Sequence, residues 1–372
     1  MTDKWPKVLV TGTRGIPGVM GGVETHCEEL MPRLVARGAD VTVVRRTTYV
    51  ADGLREWHGV KLADVRSPKS KSLEALLHTI RSVWMAKRLG VDLVHIHAVG
   101  PGLLVPLAKL LGLRVVFTHH GFDYDRAKWG GPARLALRLG ERLAVRHADE
   151  VIAISNVIEN VLRKKHGRTD CRIIPNGAPD GTRLPPERER EILAAWGLEP
   201  GGYFFAPCRF VPEKNLHHLV EAWESAAPIR SRLVLAGTAD FEDPYSRSLF
   251  KRAKNAGVIL PGFVRGESLK ALWGGAKAFF LASSHEGLPV ALLEAMAYGV
   301  PAWVSDIPAN REVALGDSRY FRVGDVAFLR DTMRALDSAP FTRVDYDLRP
   351  YDWDRLADAT FEAYRAAARP RR

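Results

Sequence analysis

Cysteine is scarce in this chain: Cys27, Cys171 and Cys208 are the only three in 372 residues. They lie far apart, form no CxxC pair and are odd in number. That excludes a disulfide framework or a cysteine zinc site and fits a reducing compartment. Long uninterrupted apolar runs are also missing. The longest, AVGPGLLVPLAKLLGLRVVF at 98–117, is broken by Gly100–Gly102, Pro106 and Gly112 and charged at Lys109 and Arg114. It reads as a helix followed by a strand, not as a membrane span. The first residues, MTDKWPKVLVTG, have too short an apolar run for a signal peptide and read as a buried strand before a glycine-rich turn. Neither GxGxxG nor GxxxxGK[ST] occurs, which weakens a dinucleotide or P-loop reading.

What is present is a globular composition, 46% hydrophobic and 26% charged, in a length suited to two domains of roughly 150–200 residues. The charge is uneven. Residues 1–175 hold 28 Lys+Arg against 17 Asp+Glu, and residues 176–372 hold 26 against 26, so the whole excess of +11 belongs to the N-terminal half. Either that half meets something anionic or it is a solvated basic face without a partner.

Short β-branched runs alternate with helical patterns. KVLVTG, ADVTVVRR, VKLADV, DLVHIHA, RVVFTHH, EVIAIS and CRIIPNG predict buried parallel strands with helices on both faces. NGAPDGTRLPPERER at 176–190, rich in Gly, Pro and charge, reads as a linker. The pattern restarts with YFFAPC, RLVLAG, VILPGFV, KAFFLAS and PAWVSD, and the chain closes on an amphipathic helix with a basic tail. The expected division is residues 1–178, with the helix 353–372 packing back on them, and residues 179–352. The fold class is α/β, two Rossmann-like doubly wound parallel-sheet domains facing across a cleft at the carboxyl ends of their strands.

Four stretches carry chemistry. In TGTRGIPGVMGGVETHCEEL, glycines at 12, 15, 18, 21 and 22 follow strand one and precede a helix. Such a turn either cradles a phosphate at a helix N-terminus or is only flexible. In FTHHGFDYDRAKW, His119 and His120 end a strand and point to opposite faces, so His119 suits a structural role and His120 a polar contact with substrate. One histidine with loop carboxylates is a weak metal case, and His95 and His97 in DLVHIHA read as structural. In CRFVPEKN, Arg209 and Lys214 flank a turn at Pro212 and can converge on one anion. In SSHEGLPVALLEAMAYG, Pro289 suits the first position of a helix. Glu286 then falls in the loop before it, and Glu294 lies among Leu292, Leu293, Ala295 and Met296. A carboxylate there needs donors, either a salt-bridge partner or hydroxyls of a ligand.

The spacing E-x7-E from Glu286 to Glu294, followed by AMAYGVP, resembles the signature of the retaining glycosyltransferases of family 4, which have the GT-B fold. TRGIPGVMGGVET, FTHHGFDYDRAKW, VIAIS, IIPNG, FVPEKN, AGT, PGFV and SDIPANREV are similar to that family in its usual order, across essentially the whole chain. The resemblance implies a nucleotide-sugar donor, UDP-, GDP- or dTDP-linked, and a saccharide or polyprenyl-linked acceptor. It gives Glu294 the ribose hydroxyls, Glu286 the donor-sugar hydroxyls, Arg209 and Lys214 the diphosphate, and Val264 the base. Gly287, Leu288 and Val290 border the donor; the backbone at Gly21 and Gly22 closes on the phosphates, and His120 faces the transferred sugar. No metal or other cofactor is expected. Where many members have EGFGL this chain has Glu286-Gly287-Leu288-Pro289-Val290, and Pro289 lacks one backbone donor. The closest subgroup resemblance is to enzymes of bacterial surface-polysaccharide synthesis, including rhamnosyltransferases.

The resemblance implies a cytoplasmic enzyme, and the basic helices of the N-terminal half suit peripheral contact with an anionic membrane. A nucleotide-sugar epimerase of the same fold and a binding-only descendant share the donor site. A basic nucleic-acid-binding protein is the reading from another class, but no recognised module or aromatic stacking array accompanies the charge.

Overall fold

The computed structural model describes residues 6–50, 52–68, 73–126, 129–239 and 242–369. Lys69 and Lys71 of the basic segment, Ala127 and Lys128 of the histidine-bearing stretch, and the basic tail from Pro370 lie outside the described residues. The chain divides into two compact units, Met1–Gly177 with Tyr351–Arg372, and Ala178–Pro350.

Among the described residues the first unit holds an eight-stranded sheet. Its strands are β1 Lys7–Thr11, β2 Asp40–Arg46, β3 Glu56–Trp57, β4 Val60–Val65, β5 Leu93–His97, β6 Arg114–His119, β7 Glu150–Ala153 and β8 Arg172–Ile173, in the order β3-β4-β2-β1-β5-β6-β7-β8. Helices α1 Gly22–Ala36, α2 Leu73–Leu89, α3 Val105–Leu110, α4 Gly131–His147 and α5 Asn156–His166 connect them. All pairings are parallel except β3 with β4. That two-residue hairpin escapes a sequence pattern; its turn, His58 (φ 46°) and Gly59 (φ 79°), has positive φ at both central positions as a type I′ hairpin requires. Strands buried on both faces explain the apolar runs, and β5 is buried throughout, its two histidines included.

The second unit repeats the plan with β9 Tyr203–Pro207, β10 Arg232–Ala236, β11 Ile259–Gly262, β12 Ala278–Leu281, β13 Ala302–Ser305 and β14 Tyr320–Phe321, ordered β11-β10-β9-β12-β13-β14 and all parallel. Its helices are α6 Pro186–Ala194, α7 Leu216–Ala226, α8 Pro244–Asn255, α9 Gly266–Gly275, α10 Val290–Ala297, α11 Pro308–Arg311 and α12 Val326–Ser338. The last helix, α13 Trp353–Ala368, belongs to the first unit. Asp352 caps it by accepting from Arg355 N at 2.9 Å. Leu356, Ala357, Phe361, Tyr364 and Ala367 join the core formed by α1 and strands β1, β2 and β5. Leu356 and Phe361 each contribute about 1.5–3 kcal/mol by leaving water, and the alanines less.

Strand order locates where each unit can bind. The first sheet winds from β1 toward β2 and β4, then jumps to β5. The second winds from β9 to β10 and β11, then jumps to β12. Loops diverge at such switch points and leave a crevice at the strands' carboxyl ends.

Candidate active site

At the second switch point, the chain leaves β9 through Cys208–Phe210 and turns at Pro212–Lys214 into α7. Asn215 takes left-handed backbone (φ 49°) and donates from Nδ2 to the Ala282 carbonyl at 3.0 Å. Ser284 N donates to the Glu213 carbonyl at 2.9 Å. These bonds stitch the turn after β9 to the loop after β12. They bring Lys214 Nζ to Glu286 Oε1 at 2.5 Å, with side chains 17% and 11% exposed. Arg209 leaves the same strand end, next to Cys208. The Cys208 thiol is pushed up to about 12, first by burial, and it feels the charges of Lys214, Glu286 and Arg209 together. Gly237, just after β10, has φ +139°, and a Cβ there would stand 2.1 Å from the Cys208 carbonyl oxygen. Only glycine lets these two strand exits lie side by side.

Helix α10 carries the second glutamate. Pro289 stands at its N-cap in extended backbone (φ −74°, ψ 110°), one residue earlier than the expected first helical position. Its ψ is not helical, so the helix opens at Val290. Leu288 and Pro289 are buried, while Gly287 and Val290 are half-buried. Leu292, Leu293, Ala295 and Met296 are buried as expected, but Glu294 is only half-buried. Its carboxylate therefore does not need the full compensation of a core charge. The Tyr298 hydroxyl, pushed up to about 12 first by burial, feels Asp180 and Glu294, so the two carboxylates share that side of the helix. Val264 follows β11 and is half-buried. The structure thus pairs Lys214 with Glu286, with Arg209 on the same exit from β9 and Gly287–Val290 joining Glu286 to Glu294.

At the first switch point, the glycine-rich turn is held by carboxylates from α1. Glu24 Oε1 accepts from Arg14 N at 2.9 Å and from Thr13 Oγ1 at 3.2 Å, and Glu28 Oε2 accepts from Gly18 N at 2.8 Å. Gly21 caps α1 with φ 149°, and a Cβ there would lie 2.0 Å from Glu24 Oε2. Gly22, the first helical residue, is exposed.

One turn further, His26 meets the histidines at the ends of β5 and β6. His97 Nδ1 lies 2.8 Å from His120 Nε2, and the His26 and His120 rings have centroids 5.0 Å apart. His26 Nδ1 faces Asn176 Oδ1 at 3.1 Å. Burial holds His26 down to about 4 and His97 and His120 well below the usual imidazole range, so all three are neutral near pH 7. His95 is fixed between Tyr364 Oη at 2.7 Å and Thr118 Oγ1 at 2.6 Å. The alternation of β6 sends His119 the other way, to Glu141 at 3.2 Å, in a structural role. Gly21, Gly22 and His120 are therefore linked through α1. Sequence reading missed the partnership of His26, His97 and Asn176, because a helix, a strand and a linker residue meet only through topology. It also missed Asn215 and Gly237. Asn215 had a signal in its place between a proline turn and a helix.

Residues 20–180 match the family Glycosyltransferase Family 4, and residues 190–319 match Glycosyl transferases group 1. The O-antigen chain mannosyltransferase B of Escherichia coli is 32% identical over 332 residues, covering 83% of this chain and 85% of that protein. Among solved structures, sucrose-phosphate synthase of Thermosynechococcus elongatus aligns with TM-score 0.76 and 19% identity over 97% of this chain and 98% of that one. HepE of Anabaena, solved with UDP and glucose, aligns with TM-score 0.71 and 19% identity over 96% and 95%. The alternating β/α order of both units, the two family matches and the mannosyltransferase relative agree: the chain belongs to the glycosyltransferases of the family 4 and group 1 type, with the GT-B fold.

Proposed function

We propose that the protein transfers a hexose from a nucleoside-diphosphate sugar, with retention of anomeric configuration, to a saccharide or polyprenyl-linked saccharide in the assembly of a bacterial surface polysaccharide. The observation that carries this reading is the group of Arg209, Lys214 and Glu286 at the second switch point. Two cations there suit a diphosphate. The Arg fork and the Lys point charge stabilise the negative charge that grows as the diphosphate leaves, so this step calls for no metal ion. Glu286 takes hydroxyls of the donor sugar, and Glu294 takes the ribose hydroxyls from its half-exposed place on α10. Gly287, Leu288 and Val290 shape the loop between them, and Val264 lies beside the base. In the first unit, the backbone at Gly21 and Gly22 suits contact with phosphate oxygens. His120, a neutral imidazole, makes a hydrogen bond to the transferred sugar. Attack from the leaving group's own face, within an ion pair, gives retention.

The test is a thermal-shift panel of UDP, GDP, dTDP and their sugars, with and without chelator. A nucleotide at 100 times its dissociation constant adds about 2.7 kcal/mol of stability. One nucleotide should raise the midpoint, chelator should leave the shift unchanged, and Glu294→Ala should remove it. No shift with any nucleotide overturns the donor site. Configuration is read from the one-bond carbon–proton coupling of the product.

A membrane-facing role in the cytoplasm fits the first unit's helices. On α4, Leu135 (70% exposed) and Leu139 (47%) stand among exposed Arg134, Arg138 and Arg142. Apolar side chains flanked by guanidinium groups suit insertion beside anionic headgroups, where a lipid-linked acceptor would wait. Among the described residues no helix is long and apolar enough to cross a membrane. Sedimentation with anionic vesicles at low salt tests this: binding lost in Leu135→Asp/Leu139→Asp supports it, and no binding by the unaltered chain defeats it.

A further inference from the structure

His26, His97 and His120 come from three different elements, α1, the end of β5 and the residue after β6, yet one ring nitrogen from each lies within 4.8 Å of the other two. Two imidazole nitrogens on one tetrahedral zinc ion are roughly 3.3 Å apart, from zinc–nitrogen bonds of about 2.0–2.1 Å. The spacings here, from 2.8 Å between His97 Nδ1 and His120 Nε2 up to the 4.8 Å limit, bracket that value, so small side-chain rotations close the set. The outer face of the cluster is built as well. Asn176 Oδ1 stands 3.1 Å from His26 Nδ1 and can accept its proton, which turns the Nε2 lone pair inward. Cys27 Sγ lies 3.8 Å from His97 Nε2 and does the same for the Nδ1 of that ring. Acceptors behind ligating histidines are what fixes their tautomer and orientation in protein metal sites.

We propose that His26 Nε2, His97 Nδ1 and His120 Nε2 form a binding site for a borderline divalent transition-metal ion, zinc foremost. Imidazole suits zinc, cobalt, nickel and copper, and a carboxylate-free set of this kind disfavours magnesium and calcium. His26 and His97 are buried, and His120 is the half-exposed member, so a fourth position opens on its side for water. Bound there, the ion ties α1, just after the glycine-rich turn, to the carboxyl ends of β5 and β6. The site belongs to the first unit and shares His120 with the proposed sugar contact, for which the ring's Nδ1–H remains once Nε2 holds the ion; its test requires no transferase activity.

For the ion to bind, the His120 proton moves from Nε2 to Nδ1, which turns the Nε2 lone pair toward His97 Nδ1 and the ion. Zinc is titrated by calorimetry into full-length protein without an affinity tag. Cobalt absorption reports the coordination number. The expected result is one equivalent of zinc, a tetrahedral cobalt spectrum and a raised thermal midpoint. His26→Gln and His97→Gln should lose all of these, while His217→Gln in the other unit keeps them. If a buried variant fails to fold, His120→Ala repeats the test at the half-exposed position. No zinc binding, or stoichiometry unchanged in the histidine variants, overturns the site.

Discussion

Replacing Glu286 by glutamine should move nucleotide binding and sugar transfer in opposite directions. Lys214 and Glu286 are paired at 2.5 Å, with side chains 17% and 11% exposed. A nucleoside diphosphate without its sugar can use Lys214 only by drawing it away from that carboxylate. A charge-assisted hydrogen bond contributes about 1.5–3 kcal/mol when fully buried. Residual exposure screens this pair, and the glutamine carbonyl still accepts one bond, so about 1 kcal/mol is the difference that matters. The diphosphate should therefore bind Glu286→Gln about five-fold more tightly. Transfer from the nucleotide sugar should fall about 10- to 100-fold in kcat/KM, because the bonds proposed from the carboxylate to the sugar hydroxyls are the ones removed. Calorimetric titration with the nucleoside diphosphate and initial rates with its sugar measure the two effects. Lys214→Ala is the control, since it should weaken both. Diphosphate binding that weakens in Glu286→Gln, or turnover that is unchanged, refutes the assignment of the cation to phosphate and the carboxylate to sugar.

Three further outcomes follow from the packing. Gly237→Ala forces a Cβ to within 2.1 Å of the Cys208 carbonyl at φ +139°, so it should lose about 2–3 kcal/mol by urea unfolding and weaken nucleotide binding by displacing Arg209; full affinity at full stability would remove Gly237 from the site. Trp353→Ala empties a side chain 5% exposed that lies edge-on to His26 with centroids 5.7 Å apart, and should destabilise the chain by about 3–5 kcal/mol. Glu141 is buried, and although burial pushes its carboxyl up, bonds from His119, Lys165 and His166 outweigh that and hold it well below the usual carboxylate range. Its contribution is therefore present above the unfolded-state value near pH 4.3 and lost as pH falls toward the folded-state value. Glu141→Gln should lose about 3 kcal/mol at pH 7, and its stability should fall less steeply than wild type below pH 4.3; identical acid profiles would contradict the role.

Much of the fold was legible because parallel strands covered on both faces leave short, mostly apolar runs, as in YFFAPC and RVVFTHH. The hairpin at β3 and the two-residue β14 were not, because two residues cannot display a period. The site divides in the same way. Arg209, Lys214, Glu286 and Glu294 sit in motifs whose own spacing hints at chemistry, and three of them meet at one switch point. The exposure of Glu294 was not legible, since a helical run of apolar neighbours does not tell which way the fifth residue of a short helix faces. The histidine cluster is the sharpest case. His95, His97, His119 and His120 look alike on paper, two pairs at strand ends, and strand alternation separates only the adjacent pair, His119 from His120. What makes His97 and His120 partners is that β5 and β6 pair in parallel with His97 beside Thr118, which places the residue after β6 above the end of β5. His26 joins them because β1, from which α1 departs, lies next to β5 in the sheet. Such a constellation depends on strand order, a long-range property that no local spacing encodes. Switch points are therefore where sequence reading loses residues and where a ligand, or a metal ion, finds its site.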